Sequence, residues 1–201
     1  MKASAKAAFW FARLSSFLGM LLMATIATAQ NAPPKVMFQT SMGNFVVEME
    51  PQRAPKTVEN FLHYVREGFY SGIIFHRVVP GFVVQAGGYD VQGNERDVHD
   101  PIALETATAA NNVRGTIAMA RTNFPNSARS QFFINLQDNS QLDRAPNDRS
   151  NLTGYTVFGH VIDGMAVIDA IAMVQLGGTL GPIPEASPRT PVVIQRVTIV
   201  N

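Results

Sequence analysis

Arg77 sits where an arginine is least expected. It lies in Phe75-His76-Arg77-Val78-Val79-Pro80-Gly81-Phe82-Val83-Val84-Gln85-Ala86-Gly87-Gly88, an apolar, strand-like stretch with a glutamine eight residues further on. A guanidinium stays charged and carries several N–H donors in a fixed fork. Its chemistry is to hold an electron-rich oxygen or nitrogen, not to attack one. Two more stretches carry similar potential: Met119-Ala120-Arg121, and Ser130-Gln131-Phe132-Phe133-Ile134-Asn135. Singly, each of these residues has an ordinary reading. An arginine in an apolar strand is usually ion-paired or lays its stem along apolar surface. Phe82 and Phe133 alone read as core aromatics, and a lone Gln85 or Gln131 says little.

The common catalytic sets are missing. The four histidines, His63, His76, His99 and His160, lack close metal-ligand spacing. There is no HExxH, no GxSxG and no glycine loop leading into a lysine. Zero cysteines exclude a disulfide, a thiol nucleophile and a thiolate metal site. No metal and no cofactor is expected. A hydrolase assembled from scattered Ser, His and Asp has no local motif to support it.

The elements that must position these residues are mostly short strands. Val36 to Thr40 and Asn44 to Glu50 flank Ser41-Met42-Gly43, a hairpin turn. Phe45, Val47 and Met49 face one way, as a half-buried strand requires. Further strands are expected at Ile74 to Val78, Phe82 to Gln85, Thr116 to Met119, Gln131 to Asn135, Thr156 to Val161 and Val192 to Val200. Pro55 to Glu67 reads as a helix, with Val58, Phe61, Leu62 and Val65 on one face and Gly68 as its stop. Gly164 to Ala172 reads as a second helix with Asp163 as N-cap. Gln137 to Gly154 and Gly177 to Pro191 read as surface loops. Many strands and two helices predict a mainly antiparallel sheet, with closure into a barrel removing exposed edges.

Residues 1–29 are set apart from this fold. Lys2, Lys6 and Arg13 give a basic start, an apolar run extends from about Phe17 to Ala27, and Ala27-Thr28-Ala29 offers a small-x-small cleavage site. That is the pattern of a secretory signal peptide, and the apolar run is short of the ~20 residues a spanning helix needs. Residues 30–35 read as a short linker, and residues 36–201 as one domain. Of 16 basic and 15 acidic residues, three basic ones leave with the signal, so the mature chain has 13 against 15 and a formal charge of −2. That balance argues against nucleic acid or an acidic membrane surface as a main partner. With 46% hydrophobic and 15% charged residues, the chain has the composition of a packed domain.

Taken together, FHRVVPGFVVQAGG and SQFFIN resemble the cyclophilin family closely, and the likeness runs from Val36 to Val200. The resemblance implies a closed eight-stranded antiparallel barrel capped by two α-helices, and peptidyl-prolyl cis-trans isomerase activity with no cofactor. On matching family positions, it implies Arg77, Gln85 and Phe133 as catalytic residues. Phe82, Val83, Met119, Gln131, Leu142, Tyr155 and Phe158 match the substrate pocket, and Ala120 and Arg121 the strand that binds substrate backbone. Implied partners are proline-containing peptides and unfolded exported proteins, met by a monomer. Tyr155 and the leader make the chain similar to the bacterial periplasmic branch. It departs from the usual pattern at three positions: Val83 replaces a pocket methionine, Tyr155 a histidine, and Gln141 a tryptophan before Leu142. The rim is less aromatic as a result, which argues against strong cyclosporin binding. A proline-binding module or holdase with little catalysis is the competing reading. His76, adjacent to Arg77 in the strand, should point to the opposite face and serve structure.

Overall fold

Buried and more exposed residues alternate along Lys35–Thr40 and Gly43–Met49, and both runs form strands. The computed structural model describes residues 32–150 and 152–200. The expected signal peptide at 1–29 lies outside them. Nine strands are present among the described residues: β1 (Lys35–Thr40), β2 (Gly43–Met49), β3 (Ile73–Ile74), β4 (Arg77–Val79), β5 (Val83–Ala86), β6 (Thr116–Met119), β7 (Phe132–Asn135), β8 (Val157–Asp163) and β9 (Val193–Val200). The α-helices among the described residues are α1 (Pro55–Arg66) and α2 (Met165–Ala172). The strands form one curled antiparallel sheet in the order β3-β9-β1-β2-β8-β6-β7-β5-β4. Helix α2 lies against β2 and also against β4 and β5 at the far edge, which a flat sheet would not allow.

The expected closed eight-stranded barrel needs correcting. The single strand expected at Ile74 to Val78 is broken at Phe75 and His76 into β3 and β4. β3 pairs with β9 at one edge of the sheet, and β4 pairs with β5 at the other. One stretch of backbone therefore serves both edges and joins them covalently, without a ladder between them.

The interior is aromatic. Phe38 stacks on Phe45 with ring centroids 4.5 Å apart. Phe61 of α1 meets Phe132 edge-on at 5.8 Å and Phe158 at 5.2 Å. All five rings are buried, each worth about 1.5–3 kcal/mol of transfer free energy. Thr57, Val58, Leu62, Tyr64 and Val65 complete the buried face of α1.

Asp163 does not cap α2: it ends β8, and the cap is Gly164 at φ 79°. A Cβ there would lie 2.4 Å from the Asn44 carbonyl oxygen, so both the backbone angle and the space demand glycine. The polar loop from 137 to 154 holds a 3₁₀ turn at Ser140–Leu142, and the later loop holds one at Pro184–Ala186. No helix among the described residues is long and apolar enough to cross a membrane.

Candidate active site

Strand register places the sequence candidates in one line. Arg77 pairs with Gln85, Gln85 with Phe133, Phe133 with Ala118, and Ala118 with Val157. This row crosses β4, β5, β7, β6 and β8. Because side chains alternate, all five point to the same face, away from the aromatic interior. Along that face Val83, Ala118, Phe133 and Val157 form a second buried apolar cluster, separate from the main core. Phe82, Ala110, Ala120, Leu142 and Tyr155 pack against it and are partly exposed.

A polar chain borders the cluster. Arg77 Nη1 donates to Gln85 Oε1 at 3.2 Å, and Gln85 Nε2 donates to Gln131 Oε1 at 3.0 Å. The Arg77 guanidinium carbon stands 6.0 Å from the centre of the Phe82 ring. Gln131 lies flat over Gly88, where an added Cβ would be 2.5 Å from Gln131 Nε2. The bond to Gln85 leaves Arg77 with further N–H donors beside the apolar cluster, and its side chain is half-buried.

At the other end, Phe133 meets Tyr155 edge-on at 5.5 Å. The Arg121 guanidinium covers the Tyr155 ring at 4.7 Å and donates through Nε to the Gly154 carbonyl. Ala120 donates its N–H to the Gln131 carbonyl at 2.9 Å, closing the strand over the site.

Two candidates do not join the site. Met119 and Phe158 belong to the main core, at 2% and 0% exposure. Each is one residue out of step with an outward-facing neighbour, Ala118 and Val157, so the pleat turns it inward. Ala118, Val157 and Ala110 take their places on the outer face. Alternation in the sequence signals the parity of each strand but not which face carries the site.

Behind Gln131 a cavity of about 430 Å³ is lined by Glu95, Arg96, Arg121, Arg129 and Gln131 among others. Its charged lining comes from loops distant in sequence, and sequence reading missed it. So too did it miss a buried amide network. Asn135 Nδ2 donates to Asn112 Oδ1 and Thr116 Oγ1, and Asn139 Nδ2 donates to Asn135 Oδ1 and to the Phe82 carbonyl. That network fixes the backbone that carries Phe82.

His76 is 1% exposed, and its ring meets Tyr89 edge-on at 4.8 Å. Burial, and then the adjacent Arg77 charge, hold its pKa down to about 4, so it is neutral at ordinary pH.

Residues 35–199 match the family model "Cyclophilin type peptidyl-prolyl cis-trans isomerase/CLD". The chain belongs to the cyclophilin family. This cyclophilin is 44% identical over 175 residues to peptidyl-prolyl cis-trans isomerase A of Dickeya dadantii, covering 87% of this chain and 89% of that protein. It is 42% identical over 164 residues to peptidyl-prolyl cis-trans isomerase B of Escherichia coli, covering 82% and 98%. A Cryptosporidium parvum cyclophilin of known structure shares the fold at a TM-score of 0.68 and 24% identity, over 84% of this chain and 98% of that one. The activity of this cyclophilin is accordingly peptidyl-prolyl cis-trans isomerisation.

Proposed function

We propose that this cyclophilin accelerates rotation about X–Pro bonds by holding the proline ring on the outer apolar cluster and stabilising the twisted imide with Arg77. The observation that carries this is the transverse row, with a hydrogen-bonded guanidinium at one end and a partly exposed apolar cluster beside it.

The physical problem is resonance. Partial double-bond character sets a rotation barrier of ~18–20 kcal/mol. No covalent bond need break. The catalyst must favour the perpendicular state over both planar ones. In that state conjugation is lost, and the proline nitrogen becomes pyramidal and gains a lone pair. An Arg77 N–H donates to that lone pair and so opposes the return of resonance. Each ~1.4 kcal/mol of such preference is worth about tenfold in rate. Gln85 holds the guanidinium in place, and Gln131 holds Gln85. Phe82, Val83, Phe133 and Leu142 grip the pyrrolidine ring, so one side of the bond is fixed while the other turns. They also exclude water, which strengthens the Arg77 interaction. Ala120 and Arg121 lie beside the substrate backbone, with Tyr155 at the rim.

The substrates are proline-containing segments. A Cryptosporidium parvum relative of the same fold has been crystallised in the presence of the dipeptide Ala-Pro. From its leader we read the chain as exported, most simply to a periplasm, where it acts as a monomer on unfolded exported proteins. The test is NMR exchange between cis and trans signals of a prolyl peptide, with wild type and Arg77→Ala. Wild type should accelerate exchange, and Arg77→Ala should lose well over tenfold while keeping its fold. Peptide binding without faster exchange would instead make this a proline-binding module.

A further inference from the structure

We propose that His63, Glu67 and His99 form a surface site for a divalent transition-metal ion of the zinc class, with water completing its coordination. Among the described residues, this is the one group of three or more such side chains whose ligand atoms lie within 4.8 Å of one another. His63 and Glu67 are one turn apart, at the end of α1, and so share a face. His99 arrives from a loop 36 residues after His63, a separation that hides the group from sequence inspection.

The donors already converge. Glu67 Oε1 is 3.2 Å from His63 Nε2, and Glu67 Oε2 is 2.8 Å from His99 Nε2. Zinc bonds imidazole at 2.0–2.1 Å, so tetrahedral donors stand roughly 3.3 Å apart. The Glu67–His63 pair already has that spacing, the Glu67–His99 pair needs to open by about half an ångström, and no two ligand atoms start more than 4.8 Å apart. The loop is held for it: the His99 N–H donates to the Tyr64 hydroxyl at 2.9 Å, and Arg129 Nη1 donates to the His99 carbonyl at 2.8 Å. Both bonds use the His99 backbone, so neither occupies a ring nitrogen. Glu67 is not claimed by its neighbour Arg66, which pairs with Glu59. The site also sits where the helix macrodipole is negative, which favours a cation. Arg129 is the opposing charge nearby, and its guanidinium is turned to the carbonyl. Two imidazoles and one carboxylate select zinc, nickel or copper over magnesium. The site does not touch the proline cluster. It borders the charged cavity, sharing Arg129 with its wall, so a bound ion would brace the loop that carries Val98.

The experiment is calorimetric titration of the purified protein, without a histidine tag, using zinc chloride and, separately, magnesium chloride. One zinc ion per chain should bind, reversed by a chelator, with no comparable magnesium binding. His63→Ala, His99→Ala and Glu67→Gln should each weaken zinc by about tenfold or more, since even second-shell changes cost 10–100-fold. All three side chains are exposed, so these variants should melt like wild type. His160→Ala, whose ring pairs with Glu50 elsewhere, and Arg77→Ala should bind as wild type does. The proposal is overturned if the His63→Ala/His99→Ala double variant binds zinc as wild type does, if wild type binds none, or if magnesium binds equally well.

Discussion

Arg77 and Gln85 face each other as register partners across β4 and β5, and the guanidinium donates to the amide oxygen at 3.2 Å. The backbone ladder that sets this register also aims the side chains, so the arginine is oriented before any substrate arrives. In the mechanism proposed above, such preorganisation would avoid reorientation during the reaction, the main source of electrostatic catalysis.

Gln85→Leu keeps the volume and removes both amide hydrogen bonds. On the proposed mechanism Gln85 positions Arg77, so its loss should lower kcat by about tenfold, one hydrogen bond's ~1.4 kcal/mol, with KM little changed. Gln85→Asn, too short to reach, should behave similarly. A drop in affinity at constant kcat would place Gln85 on the substrate instead. Steady-state kinetics on a prolyl peptide separates the two.

The adjacent glycines, Gly87 and Gly88, should fail differently when replaced by alanine. At Gly87 a Cβ would lie 2.6 Å from the Ser130 carbonyl oxygen, and φ is +98°. Neither backbone can yield, so Gly87→Ala should lose about 1–3 kcal/mol of stability. At Gly88 the obstacle is the Gln131 side chain, which can move. Gly88→Ala should melt near wild type but break the Gln85–Gln131 hydrogen bond and lower turnover several-fold. Equal melting temperatures for the two variants would contradict this.

Much of this was legible beforehand, and the limits have physical causes. Alternation marked β2, and the spacing of Val58, Phe61, Leu62 and Val65 marked α1. Family resemblance brought Arg77, Gln85 and Phe133 together, and register explains why they meet. Met119 and Phe158 were misplaced because a motif match ignores pleat parity. The break at Phe75–His76 arises from pairing with both sheet edges, a tertiary fact with no local signature. The charged cavity and the His63–Glu67–His99 group depend on loops folding back over long separations, which one sequence does not disclose.

Phe133 and Phe158 offer a controlled comparison, the same side chain on opposite faces of the sheet. Phe158→Ala empties part of the main core and should cost about 3–5 kcal/mol, while turnover per folded molecule stays near wild type. Phe133→Ala opens a smaller cluster that water can reach, so its stability cost should fall below that range. Its KM should rise at least tenfold, because the proline ring loses its grip. Denaturant unfolding alongside kinetics reads both quantities. A Phe158→Ala protein that stays folded but loses substrate affinity would restore Phe158 to the pocket wall.

His76 should make the fold acid-sensitive in a defined window. Its pKa is 6.5 when unperturbed and about 4 in the folded chain, lowered first by burial and then by Arg77. Between these values the unfolded chain binds a proton that the native chain does not, so falling pH favours unfolding. The stability at stake is intact above pH 6.5, is lost progressively toward pH 4, and amounts to about 3 kcal/mol over the whole window. His76→Gln removes the titration. Carboxylates contribute equally to both proteins and cancel in the comparison. Urea unfolding at pH 7 and pH 4.5 should therefore show wild type losing about 2 kcal/mol more than His76→Gln does. Equal losses would mean that His76 takes up its proton in the folded state as readily as in the unfolded one, and that its burial does not exclude the charged ring.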